Sequence, residues 1–310
     1  MKIVFMGTPS FAVPTLKRLV EDGHDIRLVV TLPDRKRGRG RKASATPVKL
    51  AAQELGLPLY ATDNFSDRHF RNRLRESGGE LFIVVGFRKL PQSVFTLPAR
   101  GTVNLHASLL PRYRGAAPIQ WAIIKGEQET GVTTFFINTR IDRGDILLRK
   151  KTAIARYETA GELHDRLARL GAECVSETVA GLEQKTLSAR SQEGEACKAP
   201  KLRPEHTYID WNSDAEEVVN LIHGLSPYPG CCARWKGKRI KFYRARPSHL
   251  SQNQKPGTVV RAEKDSLVIQ AGNGAVEMKE IQMPGKRKME TADFLRGSSI
   301  SAGDVLESCE

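Results

Sequence analysis

Gly101-Thr102-Val103-Asn104-Leu105-His106-Ala107-Ser108-Leu109-Leu110-Pro111-Arg112-Tyr113-Arg114-Gly115-Ala116-Ala117-Pro118 reads as one strand, one loop and the start of one helix. Residues 101–105 are β-prone, residues 108–115 are punctuated by proline and glycine, and an apolar helix is expected at about Ala117 to Ile124. Asn104 and His106 lie two residues apart, so they share one face at the strand end. Strand, loop and helix in succession form the repeating unit of an α/β fold, in which ligands gather at the carboxyl ends of the strands.

The same unit recurs on both sides of this stretch. Strand-like segments at about 2–7, 26–31, 80–86, 101–105, 131–137 and 145–150 alternate with helical segments near 11–22, 47–56, 66–77 and 117–125. The pattern predicts a Rossmann-like α/β domain: a mainly parallel sheet with helices on both faces. From Ala160 a longer amphipathic helix follows, in which Leu163, Leu167, Leu170 and Cys174 make a core-facing stripe. A chain of 310 residues suits two domains of unequal size. Residues 1–187 are read as the catalytic domain and residues 188–206, polar and aperiodic, as a linker. In residues 207–310 a helix at Asp214 to Ile222 precedes β-prone runs at 233–244, 257–262, 266–270 and 275–282, with Asn273-Gly274 suited to a tight hairpin. A small C-terminal β-barrel is the expected product.

Several classes are set aside. No secretory leader pattern and no apolar run of ~18 residues is present, so neither export nor a membrane span is indicated. The cysteines at 174, 197, 231, 232 and 309 lack metal-ligand spacing and read as free thiols of a reducing cytoplasm. Met6-Gly7-Thr8-Pro9 stands where a dinucleotide fold carries several glycines, and Pro9 removes a backbone donor, which argues against a nicotinamide cofactor.

The formal charge of +14 points to a polyanionic partner, and its clustering sharpens the point. One cluster, Arg35-Lys36-Arg37-Gly38-Arg39-Gly40-Arg41-Lys42, is read as a flexible loop before a helix that opens at Thr46-Pro47. A second runs through Arg234, Lys236, Lys238, Arg239, Lys241, Arg244 and Arg246, interleaved with Ile240 and Phe242 as on a strand with one wet face. A third is Lys286-Arg287-Lys288. Clusters spread along the chain suit an extended anion such as RNA, bound through its phosphates.

Asn104, His106 and the carboxylate in Ile141-Asp142-Arg143-Gly144-Asp145 suit acyl transfer to an amine. An amide donor held where charge develops on the carbonyl oxygen lowers the barrier. An imidazole donates to that oxygen and moves protons between attacking and leaving nitrogens. A carboxylate bonded to the imidazole fixes its tautomer and favours its charged form. Taken singly each residue has an ordinary structural explanation as a cap or turn. His223, alone on a helix, is read as packing or surface and left out of the site.

Taken together, Asn104-x-His106-x-Ser108-Leu109-Leu110-Pro111-x-x-Arg114-Gly115 with Ile141-Asp142-x-Gly144-Asp145 resembles the 10-formyltetrahydrofolate-dependent formyltransferases. Arg114-Gly115-Ala116-Ala117-Pro118-Ile119-Gln120 narrows the resemblance to those acting on methionyl-tRNA. The likeness extends through Met6 to Ala12, Pro33 to Arg35, Gly38 to Gly40, Thr46 to Lys49, Ala199 to Lys201, Ile209 to Trp211 and Pro227 to Gly230.

The resemblance implies catalytic roles for Asn104, His106 and Asp142, and folate contacts from Ser108, Leu109, Leu110, Pro111 and Phe87. It implies tRNA contacts from Arg35, Lys36, Arg37, Arg39, Arg41 and Lys42, and from Lys238, Arg239 and Lys286 on an OB-like barrel. The implied reaction takes the formyl group of 10-formyltetrahydrofolate, a co-substrate, to the α-amine of methionyl initiator tRNA, with no metal. A cytoplasmic monomer is expected. Two competitors stay open: a transferase for a small amine, such as glycinamide ribonucleotide or an amino sugar nucleotide, and a noncatalytic RNA-binding protein on the same fold.

Overall fold

Ile3, Val4, Phe5 and Met6 form an unbroken apolar run, and all four are fully buried. Such a run belongs to a strand covered on both faces, as parallel strands between helices are. In the computed structural model, which describes residues 1–37, 42–250 and 253–309, this run is the first strand of a seven-stranded sheet.

The elements of the first unit are β1 (Lys2–Gly7), α1 (Val13–Glu21), β2 (Asp25–Thr31), α2 (Pro47–Glu54), β3 (Leu59–Ala61), α3 (Arg68–Glu76), β4 (Leu81–Val85) and β5 (Thr102–His106). Along the chain they are followed by α4 (Pro118–Ile124), which belongs to the second unit, then by β6 (Glu129–Phe136), β7 (Ile146–Ala153) and α5 (Ala160–Glu183), whose first turn also belongs to the second unit. The sheet order is β7-β6-β5-β4-β1-β2-β3. Strands from β5 through β3 pair in parallel, whereas β6 runs antiparallel to β5 with Asn104 opposite Phe135 and His106 opposite Thr133. The chain leaves β1 first toward β2 and later, through β4, toward the other side, which puts a topological switch point between β1 and β4.

Side-chain alternation divides the core. Val4, Met6, Phe82 and Val84 pack with Phe70 and Leu74 of α3. On the other face α5 lies close to β5, because Gly171 has no side chain: a Cβ there comes within 2.6 Å of Leu105 Cδ2. Each fully buried side chain of this size contributes about 1.5–3 kcal/mol. Thr46 caps α2 as its sequence suggests, its hydroxyl accepting from Lys49 N at 3.1 Å, with Pro47 at the first helical position.

By contact density the chain divides into two compact units. One takes residues Met1–Gly115, Thr130–Thr152 and His164–Lys198; the other takes Ala116–Glu129, Ala153–Leu163 and Ala199–Glu310. The second unit contains α6 (Ala215–Gly224), β8 (Cys231–Trp235), β9 (Lys238–Ser248), β10 (Val259–Glu263), β11 (Ser266–Gln270), β12 (Ala275–Gln282), α7 (Thr291–Arg296) and β13 (Glu307–Ser308). Its antiparallel sheet has the order β10-β11-β12-β9-β8-β13. The two ends of the sheet meet: Val259 N donates to Asp304 O and Leu306 N to Gly257 O, both at 2.8 Å. The sheet therefore curls into a barrel around Phe242, Ile269, Met278 and Ile281, with the apolar face of α6 packed against the same core.

His223 belongs to that interior. It is 3% exposed, and its Nε2 accepts from Ala245 N at 3.1 Å. Burial, and after it the Arg244 charge, push the imidazole down to about 4 from an ordinary 6.5. The unfolded chain therefore takes up a proton at a pH where the folded chain does not. This contribution is complete above the unfolded value of 6.5 and is lost as pH falls through the folded value of about 4. The gap between the two values corresponds to about 3 kcal/mol. Urea unfolding at pH 7 and pH 4 is expected to show wild type losing about that much more stability than His223→Gln; parallel losses in the two proteins reject the assignment.

Candidate active site

β5 ends at His106, level with the end of its parallel neighbour β4, whose Val85 lies opposite Leu105. Asn104 is half-buried on the β5 face opposite Leu105, and its side-chain amide makes no hydrogen bond with another described residue. A half-buried donor without a partner among the described residues, on the same strand face as a buried imidazole, is where a carbonyl oxygen can be received.

The loop after β5 is held by its own polar groups. Ser108 Oγ donates to Arg112 O at 2.6 Å, and Arg112 N donates to Leu109 O at 3.0 Å. Thr133 Oγ1 donates to Ser108 O at 2.7 Å and accepts from Leu110 N at 3.1 Å. Leu110 is buried with Phe135 and Ile146, and Pro111 is also buried. Of the predicted folate residues, Leu109 and Phe87 thus keep partly exposed apolar surface, while Ser108, Leu110 and Pro111 shape the loop. Phe87 follows β4 and packs on Phe65, with ring centroids 5.1 Å apart.

His106 Nε2 lies 2.9 Å from Tyr113 O, so that nitrogen carries the hydrogen and donates. Nδ1 is then the nitrogen free to take a proton. Asp142 Oδ2 stands 4.0 Å from Nδ1, within ion-pair range but beyond a hydrogen bond. The same oxygen accepts from Gly115 N at 2.9 Å. Asp142 is thus anchored by backbone and faces the imidazole as a charge, where the sequence suggested a direct bond. Its φ of +52° lies in the left-handed region that aspartate tolerates better than most residues. Two residues on, Gly144 has no room for a side chain, since a Cβ there sits 1.6 Å from Phe136 O.

Three contributors were not legible beforehand. The Tyr113 carbonyl and the Gly115 amide act through backbone, which no residue type announces. Gln192, in the polar stretch read as a linker, bonds to the Asp142 turn and to Arg114. Burial, followed by the Arg143 charge, draws the Arg114 guanidinium below its ordinary value, and Asp142 opposes them.

The basic positions divide between the two units. Arg35–Arg37 and Lys42–Ser44 pair as a short antiparallel ladder, with Arg35 opposite Ser44, Lys36 opposite Ala43 and Arg37 opposite Lys42. A loop was expected there; backbone pairing is indifferent to side-chain charge, so the cationic composition concealed it. Arg39 and Arg41 lie outside the described residues. On the second unit Lys238, Arg239 and Lys286 are exposed, while Ile240 and Phe242 point into the barrel. Arg239 Nη2 donates to Cys232 Sγ at 3.1 Å, and Lys288 Nζ sits 3.6 Å from the Tyr243 ring centroid. All five cysteines are free thiols. Among the described residues no cluster of three or more His, Cys, Asp or Glu is placed to hold a metal, and no helix is long and apolar enough to cross a membrane.

Residues 1–179 match the formyl transferase family, and residues 201–299 match the formyl transferase C-terminal domain. A protein named methionyl-tRNA formyltransferase from Caldanaerobacter subterraneus subsp. tengcongensis is 44% identical over 310 residues, covering 99% of this chain and 100% of its own length. Among solved structures, methionyl-tRNA formyltransferase from Clostridium thermocellum is similar with a TM-score of 0.56 at 18% identity, over 90% of this chain and 98% of that one. HypX from Aquifex aeolicus in complex with tetrahydrofolic acid is similar with a TM-score of 0.64 at 21% identity, over 95% of this chain and 47% of that one. The match to both domains and the end-to-end identity settle the relationship: this chain belongs to the methionyl-tRNA formyltransferase family.

Proposed function

We propose that the protein transfers the formyl group of 10-formyltetrahydrofolate to the α-amino group of methionyl initiator tRNA, giving the formylated initiator for translation. The observation that carries the chemistry is one juxtaposition: an Asn104 amide with no partner among the described residues, His106 with Nδ1 available, and Asp142 at 4.0 Å from that nitrogen. The Ser108 hydroxyl and the Cys197 thiol of this neighbourhood are engaged with Arg112 O and Tyr113 N, so an external amine is the nucleophile this arrangement favours.

The uncharged amine attacks the formyl carbon, and Asn104 donates to the oxygen as it becomes anionic. His106 Nδ1 takes the proton released by the amine, and the imidazolium is stabilised by the Asp142 carboxylate. The carbon–N10 bond then breaks, with N10 receiving that proton from His106. Sequence reasoning gave His106 a second role as donor to the oxyanion; its Nε2 hydrogen is occupied by Tyr113 O, which leaves that role to Asn104.

The folate fits the end of the sheet near the switch point, where Phe87 and Leu109 offer apolar surface and Ser108, Leu110 and Pro111 maintain the loop. Residues 1–187 serve as the catalytic domain, 188–206 as the connection and the 207–310 barrel as a tRNA-binding domain. Arg35, Lys36, Arg37, Arg39, Arg41 and Lys42 serve the acceptor end, and Lys238, Arg239 and Lys286 the body of the tRNA. In this reading the protein works as a monomer in the cytoplasm.

One comparison tests the reading. With 10-formyltetrahydrofolate supplied, formylation of methionyl initiator tRNA is expected to exceed that of methionyl elongator tRNA and of free methionine by orders of magnitude in kcat/KM. Faster formylation of glycinamide ribonucleotide or an amino sugar nucleotide would falsify it.

A further inference from the structure

Residues 188–206 have the composition of a tether, yet the first part of the stretch is bonded to the site at three points. Arg190 N donates to Ile146 O and Ile146 N to Arg190 O, at 2.9 and 2.7 Å. Arg114 N donates to Cys197 O at 3.0 Å, and Tyr113 N donates to Cys197 Sγ at 3.1 Å. Between these, Gln192 Nε2 donates to Asp142 O at 3.0 Å and to Gly144 O at 2.8 Å. Its Oε1 accepts from Arg114 Nε at 3.1 Å and Nη2 at 2.5 Å. Both donors and both lone pairs of one amide are thereby used.

The two segments joined by this amide are the two that set the carboxylate's place. The Asp142 turn determines where the Asp142 Cα sits, in a left-handed conformation that its own backbone does not favour. The segment Arg114–Gly115 supplies the amide that holds Oδ2. If the two segments drift apart, the 4.0 Å separation between Oδ2 and His106 Nδ1 changes with them.

We propose that Gln192 is a positioning residue for formyl transfer: its amide clamps the Asp142 turn to Arg114 and so sets the distance between carboxylate and imidazole. The proposal rests on the acid–base reading of His106 and Asp142 given above. Gln192 touches neither substrate in this role, so its loss acts on kcat and leaves binding alone. A displacement near 1 Å at a catalytic group costs on the order of 10²-fold in rate.

Two substitutions in the full-length protein test it. Gln192→Met keeps length and volume and removes all four bonds. Gln192→Glu keeps the acceptor for Arg114 but removes both donors and sets an acid against two carbonyls. In steady-state formylation of methionyl initiator tRNA, Gln192→Met is expected to lose 10- to 100-fold in kcat, and Gln192→Glu at least as much despite its intact bond to Arg114. KM for each substrate should stay within threefold. Ser191→Ala, at an exposed neighbour in the same segment, should match wild type.

A kcat within twofold of wild type in either folded variant overturns the proposal. So does a loss confined to KM for tRNA, which makes the segment an RNA contact instead. If Gln192→Met melts below the assay temperature, the kcat and KM of Gln192→Glu decide alone. His106→Ala run in parallel separates the two levels: an active His106→Ala removes the acid–base reading itself, whereas an inactive His106→Ala beside fully active Gln192 variants removes only the clamp.

Discussion

His106→Ala is expected to lower kcat by roughly 10²- to 10⁴-fold, the range over which a positioned general acid–base group acts. The fold should survive. The substitution removes one hydrogen bond, from Nε2 to Tyr113 O, and leaves a small cavity at the end of β5. Losing one such hydrogen bond costs about 0.5–1.5 kcal/mol, a fraction of the stability of a domain this size. Asp142→Asn should lose less. A unit charge at 4 Å is worth about 4 kcal/mol at the effective dielectric near a protein surface, which sets an upper limit near 10³-fold. Because the amide introduced by Asp142→Asn keeps an acceptor for Gly115 N, the variant isolates the charge from the anchor. Single-turnover formylation with saturating folate and tRNA checks both, with circular dichroism as the control for folding. Near-normal rates in folded His106→Ala protein remove the imidazole from the chemistry.

How much of this was legible depends on the kind of interaction involved. The strands at Lys2–Gly7, Leu81–Val85 and Thr102–His106 were readable because burial on both faces forces apolar runs, and Asn104 and His106 interrupt such a run. The edge strand Leu59–Ala61 was not: three residues carry no period, and its identity comes only from pairing with β2. Nor was the reversal of Glu129–Phe136 against β5, since alternation along a strand is the same in either direction.

At the site the same division holds. Residue types indicated Asn104, His106 and Asp142, but the atoms that orient the last two are the Tyr113 carbonyl and the Gly115 amide. Gln192 was hidden for a related reason. Its partners are the carbonyls of Asp142 and Gly144, some fifty residues earlier in the chain, so a polar stretch without periodicity gave no sign of them. Composition identified that stretch as polar and aperiodic, and this does not make it free: Lys198–Ala199 forms a short strand and Pro204–Thr207 a 3-10 turn.

Neutralising the basic positions is expected to change tRNA binding in two distinguishable ways. With Arg35, Lys36, Arg37, Arg39, Arg41 and Lys42 changed to glutamine, the dependence of affinity on salt should flatten by roughly 0.9 in log–log slope for each phosphate no longer neutralised. Three such phosphates give a slope shallower by about 2.7 and binding weaker by about 10²-fold near physiological salt. If these residues also place the acceptor end against Asn104 and His106, kcat at saturating tRNA falls as well, because orientation of the amine is part of the catalysis. Lys238→Gln with Lys286→Gln, on the exposed face of the barrel, should flatten the slope by up to about 1.8 and raise KM, while kcat stays near wild type. Filter binding across a salt series, paired with saturation kinetics, reads both quantities. A salt slope unchanged in the first variant separates the +14 charge of this chain from its acceptor and returns the small-amine reading to the front. An unchanged slope in the second confines RNA recognition to the first unit, whose basic segments Arg35–Arg37 and Lys42–Ser44 already pair in register with each other.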